Sequence, residues 1–384
     1  MRMGKFTQTA WQRSVRRQLR TKREEVAAEP SPWTDCSVLG ADRGTKFLWA
    51  DACISGTDAK TGFYAVLHAA GSLAAKGCAA AGASVRVLLP EGAEESLLRD
   101  IVGEAERACE KFRMQITAFQ GEVTCMAAQP MVSVCAAGTV PADSNACAAA
   151  NSGAAGAGTE PAGRAADRNG KPAAEAQEKE KDLLLCGYAG LEGTLRLLAE
   201  ARADLAQRFT GAFLDQAASL ENELVAPEQL LAAWRVQQAA DGSPVPVTAR
   251  QIGSGGILAA LWELSEQEKL GFEIDMRSIA LKQETVEFCE ACRLNPYQMT
   301  SAGSFLLLTD RAEEVLGALA EAGAHGVRLG TARRQNARVI RNGEETRYLD
   351  RPAPDEFLRW QTEKDEIRIS RGKVMQTDAQ YRTP

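Results

Sequence analysis

From 141 to 181 the chain carries almost no large apolar side chain; it runs through Ala, Gly, Asn and Ser and ends in charged residues. Such a stretch cannot bury enough surface to offset the entropy of ordering it, so it reads as a flexible linker or insertion with a folded part on each side. The 384 residues suffice for two cores, and 45% hydrophobic against 25% charged residues is the balance of a globular protein. We therefore expect domains over 1–140 and 182–364, a linker over 141–181 and a polar tail over 365–384. Deleting 145–176 is expected to leave folding intact; a large fall in melting temperature would show that the segment packs.

Hydrophobic periodicity supplies the elements on either side. Trp11, Val15 and Leu19 stand four residues apart and predict a helix over 7–25, stopped by Pro30 and Pro32. Strands are expected over 46–54, 85–89, 114–119 and 131–140, and a small-residue helix over 61–81. Leu97, Leu98, Ile101, Val102, Ala105, Cys109 and Phe112 share one face of a helix over 94–112. In the second part helices are expected over 191–208, 227–236, 282–292 and 312–322, with another from Pro352 onward. Strands are expected over 272–274, 304–308, near Val327 and over 337–341, the last leading into an Asn342-Gly343 hairpin turn.

A net charge of −6 speaks against general nucleic-acid affinity, although Arg2, Lys5, Arg13, Arg16, Arg17, Arg20, Lys22 and Arg23 make the first helix locally basic, most simply as a solvated face. No secretory signal and no membrane span are expected. The ten cysteines are scattered through apolar runs such as Val134-Cys135-Ala136, the pattern of buried free thiols in a reducing cytoplasm. Cys289 and Cys292 lack a second pair or a nearby histidine and make a poor zinc site; His68 and His325, the two histidines of the sequence, are expected to be structural.

Residues 247–264 read VTARQIGSGGILAALWEL, an apolar approach, glycines at Gly253, Gly255 and Gly256, then an amphipathic helix. Backbone N–H groups and the dipole at such a helix start can meet a phosphate, with Arg250 beside it as a planar bidentate donor. A tightly packed helix start explains the same glycines equally well.

Taken together, several segments resemble the ATP-dependent family of aminoimidazole ribonucleotide (AIR) synthase, selenophosphate synthetase and the hydrogenase-maturation carbamoyl dehydratase, the PurM-like proteins. They are TDCSVL at 34–39, DACISGT at 51–57, VRVLLPE at 85–91, QGEVT at 120–124, GYAGLEGT at 187–194, GGILAAL at 255–261 and NPYQMTSAGS at 295–304, in family order. The resemblance implies an α+β chain of two domains, an N-terminal mixed-sheet domain and a C-terminal α/β domain, commonly a cytoplasmic homodimer through the N-terminal domains. It implies ATP with Mg²⁺ as cofactors, and ATP-dependent activation of an oxygen or phosphoryl transfer to a small substrate. Mg²⁺ is a hard cation that takes carboxylates while bridging phosphates, and the matching acids here are Asp35, Asp51 and Glu122. The phosphates would fall to Gly253, Gly255, Gly256 and Arg250.

The departures are as informative as the matches. The family's Asn-Asp pair falls on Gly71 and Ser72, its paired glycines before Glu122 on Ala118 and Phe119, and its His-Asp pair on Arg250 and Gln251. Lost carboxylates weaken the hold on Mg·ATP, so the alternative is a non-catalytic dimeric homologue with a binding or regulatory role. Plain structural readings stand beside the functional ones: Asp35 as a turn acid, Asp51 as a strand-end acid, Glu192 as the charge of a helix N-terminus, and 295–304 as a turn feeding a strand. The last cysteine is Cys292, so no counterpart of the dehydratase's terminal thiol carrier is expected.

Overall fold

The computed structural model describes residues 8–19, 36–41, 44–141, 180–236 and 247–364. The expected linker lies almost wholly outside them, as does the tail. Helix α1 (Gln8–Ser14) and a 3-10 turn over Arg16–Gln18 occupy the first half of the helix expected over 7–25, the remainder of which is not among the described residues.

A five-stranded sheet forms the first half, from β1 (Ser37–Ala41), β2 (Thr45–Ser55), β3 (Gly82–Leu89), β4 (Gln115–Val123) and β5 (Met131–Pro141), in the order β1-β2-β5-β3-β4. Only β3 and β4 run parallel; the other pairs are antiparallel. Alternation along β2 and β5 puts Leu48, Ala50, Ile54, Val132, Val134 and Ala136 on the covered face, against α2 (Thr61–Ala74) and α3 (Glu95–Lys111). The other face is open. Helix α2 is rich in small residues because it is enclosed on nearly every side; a Cβ on Gly62 would collide with the Ile101 carbonyl of α3. It stops short of the expected residue 81 because Gly77 turns left-handed at φ +72, with the amide of Cys78 returning to the Leu73 carbonyl.

The second half is a seven-stranded sheet in the order β12-β11-β8-β10-β6-β9-β7, built from β6 (Lys181–Cys186), β7 (Val247–Gln251), β8 (Gly271–Asp275), β9 (Phe305–Thr309), β10 (Gly326–Arg333), β11 (Arg338–Asn342) and β12 (Glu345–Tyr348). Both of its faces are covered, which is why β9 is buried along its whole length and apolar up to Thr309. Helices α6 (Pro227–Arg235) and α9 (Ala312–Glu321) lie on one face and α7 (Gly256–Glu268) on the other. A third layer joins α4 (Leu191–Leu205), α5 (Gly211–Ser219), α8 (Gln283–Cys292) and a last helix α10 over 356–364, around Leu197, Phe288, Met299 and Phe357.

The two halves share buried surface. Leu191, Leu195, Leu220, Leu224 and Ala302 join the core of the first sheet, while Ala74 and Ala75 at the end of α2 join the core of the second. Helix α2 thus contributes to both cores.

Candidate functional site at the domain junction

The expected metal acids do not form one group. Asp35 lies outside the described residues. Asp51 is in the middle of β2 and not at a strand end, on the open face, where the Cys135 thiol of β5 hydrogen-bonds to it. Burial, and then this carboxylate, push that thiol up to about 11, so it stays protonated near neutrality. Glu122 belongs to β4, which runs on to Val123 instead of stopping at the expected residue 119. The register fixes how far apart the two acids are: Asp51 pairs with Cys135, Cys135 with Ser84, and Ser84 with Ala118, four residues before Glu122. With β5 and β3 between them, they stand about 14 Å apart across the sheet and about 13 Å along it. Ligands on one Mg²⁺ lie within about 4 Å of each other, so Asp51 and Glu122 of one chain cannot hold the same ion. Among the described residues no group of three or more His, Cys, Asp or Glu is placed to hold a metal.

The glycine join has a structural explanation in each residue that is constrained. Gly255 and Gly256 are left-handed, at φ +88 and +66, and a Cβ on Gly256 would stand 2.5 Å from the Tyr297 oxygen and 2.8 Å from the Met299 nitrogen. The amide of Gly255 at the start of α7 donates to Asp355 Oδ2 at 2.7 Å, and that carboxylate is buried. The helix start expected to face a phosphate is therefore met by an anion of the chain itself. Gly253 has open space where a Cβ would lie. Arg250, expected as a phosphate donor, is buried with its Nε 3.1 Å from Glu263 Oε2 and its Nη1 3.2 Å from Gln267 Oε1, both on α7. An arginine in a strand covered on both sides has to be paired, and Glu263 supplies the charge.

The strongest electrostatic feature is at the junction. Gly190 turns left-handed to start α4, which carries Glu192 in its first turn with no side-chain exposure. Glu192 Oε1 lies 2.9 Å from His68 Nε2 of α2 and 3.4 Å from Arg196 Nη1, one helical turn on. Its Oε2 accepts from Thr300 Oγ1 and from the Ala302 amide, each at 2.8 Å. Burial alone would raise this carboxyl; His68, Arg196 and the Ala302 amide overcome that and hold it down at about 2. Arg196 also donates to the Ser55 carbonyl at 2.7 Å, so the ion group spans both halves. The 295–304 segment serves it: Ser301 Oγ accepts from the Gly190 amide at 2.8 Å and fixes the turn that presents Glu192.

Two of the departures in sequence touch. A Cβ on Gly71 would fall on Oε1 of Gln251, and that buried oxygen has no hydrogen-bond partner among the described residues. The position of the implied Asp at Gln251 thus meets that of the implied Asn at Gly71 at the junction, where a neutral amide lies against a bare backbone. Among the described residues of one chain Mg·ATP finds no fit: Asp51 and Glu122 are separated, and the Gly255 amide and Arg250 are engaged by Asp355 and Glu263.

Residues 197–341 match the family described as AIR synthase related protein, C-terminal domain. That match places the greater part of the second half in the family and covers less than half of the chain. A likeness of fold covers both halves: the hydrogenase maturation protein HypE of E. coli superposes with a TM-score of 0.60 at 15% identity, over 87% of this chain and 95% of that one. A structure of HypE in complex with ATP gives 0.55 at 14% identity, over 84% and 90%. Thiamine monophosphate kinase from Aquifex aeolicus gives 0.53 at 13%, over 86% and 96%. At these identities the likeness is one of fold. No curated protein matches the chain in sequence. No helix among the described residues is long and apolar enough to cross a membrane.

Sequence reasoning did not single out Arg196 or Asp355. The first had a local signal, since it stands four residues after Glu192 on one helix. The second had half of one, an acid after Pro354 and before an apolar helix, which marks a cap but not the Gly255 amide a hundred residues away.

Proposed function

We propose that this chain is a non-catalytic member of the AIR synthase-like group, a two-domain binding or regulatory module that does not transfer phosphoryl groups from Mg·ATP. The separation of Asp51 from Glu122 by two intervening strands carries this reading. Gln251 against Gly71, and Glu263 on Arg250, support it, because a neutral amide stands where an acid is implied and the charge of Arg250 is taken up within the chain. The module works as a homodimer in the cytoplasm, and its open sheet face, with the exposed Phe47 5.8 Å from the Trp49 ring, is the surface a second copy would cover.

A second reading retains ATP and Mg²⁺, with activation of an oxygen or phosphoryl transfer. It is favoured by two structures of the same fold whose crystals hold ATP and the analogue AMPPCP. A Mg²⁺-dependent ATP hydrolysis assay separates the two. We expect turnover no greater than in buffer; Mg²⁺-dependent turnover that disappears in Asp35→Asn or Asp51→Asn would establish the second reading instead.

A further inference from the structure

His325 grips the turn before α4 in two ways. Its backbone carbonyl accepts from the Gly187 amide at 2.8 Å, and its ring lies parallel to that of Tyr188, with centroids 4.6 Å apart and 1° between the planes. The Tyr188 ring also carries the Lys282 ammonium, 4.0 Å from its centroid, and Lys282 pairs with Glu223 at 3.4 Å. On its inner side the turn is fastened by neutral hydrogen bonds. The Tyr188 carbonyl accepts from Ser301 Oγ at 3.1 Å and from Ser304 Oγ at 2.7 Å, and the Ala189 amide donates to the Ala280 carbonyl at 2.9 Å. Glu192, which meets His68 of the first half, follows at once in the first turn of α4. His325 is exposed, so protons reach it from solvent.

We propose that the His325–Tyr188 stack is a proton-operated catch on the 187–190 turn, closed while the imidazole is neutral and loosened when the imidazole gains a proton beside the Lys282 ammonium. A neutral imidazole packs on the phenol ring through dispersion and apolar contact. An imidazolium would be drawn to a bare aromatic face, but this ring already holds one cation, which repels a second. Lys282 and Glu223 are the charged groups that reach His325 from the elements packed around it; its chain neighbours Ala324 and Gly326 carry no charge. Burial first, and then Lys282, hold the imidazole below its ordinary 6.5, and Glu223 opposes them without cancelling them. The stacked form is therefore favoured in full above 6.5, and that preference is lost as pH falls through the lowered value. Slackening reaches the junction, because the same turn sets the start of α4 and the position of Glu192. The inference holds whether or not the junction takes a nucleotide.

The test follows backbone hydrogen exchange by mass spectrometry in the full-length wild type, His325→Phe and Lys282→Gln from about pH 8 to about pH 5, corrected for the intrinsic pH dependence of exchange, with the His325 titration read by NMR. His325→Phe keeps an aromatic ring on Tyr188 that takes no proton, and Lys282→Gln removes the neighbouring ammonium. In the wild type, protection at the amides of Gly187, Ala189 and Gly190 is expected to fall at least about threefold as pH drops, while peptides from β2 keep theirs. His325→Phe is expected to hold its protection level. In Lys282→Gln the His325 midpoint is expected to rise and the loss of protection to shrink. A wild-type turn as protected at the acid end as at the alkaline end would overturn the catch. So would a loss shared equally by β2, which marks general acid unfolding, a loss of the same size in His325→Phe, or a His325 midpoint unmoved in Lys282→Gln. The wild-type profile decides the matter alone if the variants do not fold.

Discussion

Glu192→Gln is expected to destabilise the chain by about 3–5 kcal/mol at neutral pH, the range for breaking a buried ion pair from one side. The substitution keeps the shape but leaves His68 and Arg196 facing a neutral amide, and Thr300 and Ala302 with a weaker acceptor. The pH dependence identifies the cause. The carboxyl lies at about 2 in the folded chain against an ordinary 4.5, so its contribution is fully present above the ordinary value and is lost as pH falls toward the folded one. A shift of that size is itself worth on the order of 3 kcal/mol. Urea unfolding at a series of pH values should therefore show the gap between wild type and Glu192→Gln narrowing steadily as pH falls below about 4.5. A gap of constant width would mean that the carboxylate charge is not what joins the halves.

Gly71→Ala is expected to cost about 1–3 kcal/mol, because the new methyl group falls on the Gln251 amide inside a packed junction with little room to give. Gln251→Ala alone removes a buried amide whose oxygen has no partner, and should cost less. Combined, the two substitutions should restore much of what Gly71→Ala loses, since the truncated side chain makes room for the methyl group. A double-mutant cycle on thermal or urea unfolding measures the coupling, expected at about 1–2 kcal/mol. Additive losses would show that the two positions do not depend on each other, and that the closed junction is a coincidence of two separate replacements.

Much of the fold was legible because its signals are local. Seven apolar residues on one face define α3, and alternation defines β2; the expected Asn342-Gly343 turn lies one residue later, with Asn342 paired to Glu345 and the left-handed Gly343 opening the turn between β11 and β12. Helix α5 was missed although Thr210 caps it by accepting from the Phe213 amide. Its apolar partners, Phe209 and Phe288, come from before the helix and from far along the chain. The site was legible as a set of motifs and illegible as a geometry. Asp51 and Glu122 sit in recognisable segments, yet the distance between them follows from the order β1-β2-β5-β3-β4, which no single segment encodes. Arg250 beside the glycines reads as an anion donor until Glu263, one turn and more into the next helix, is seen to take its charge. His68 gave no sign of its role, because the carboxylate it meets lies 124 residues away.

The central claim is that the junction has been filled by the chain's own side chains and no longer holds a metal with a triphosphate. Isothermal titration of Mg·ATP into the wild type tests it most directly. We expect no saturable heat at millimolar nucleotide. Saturable binding that requires Mg²⁺ and is abolished by Asp51→Asn would contradict the claim, and would show that the separated acids still act together.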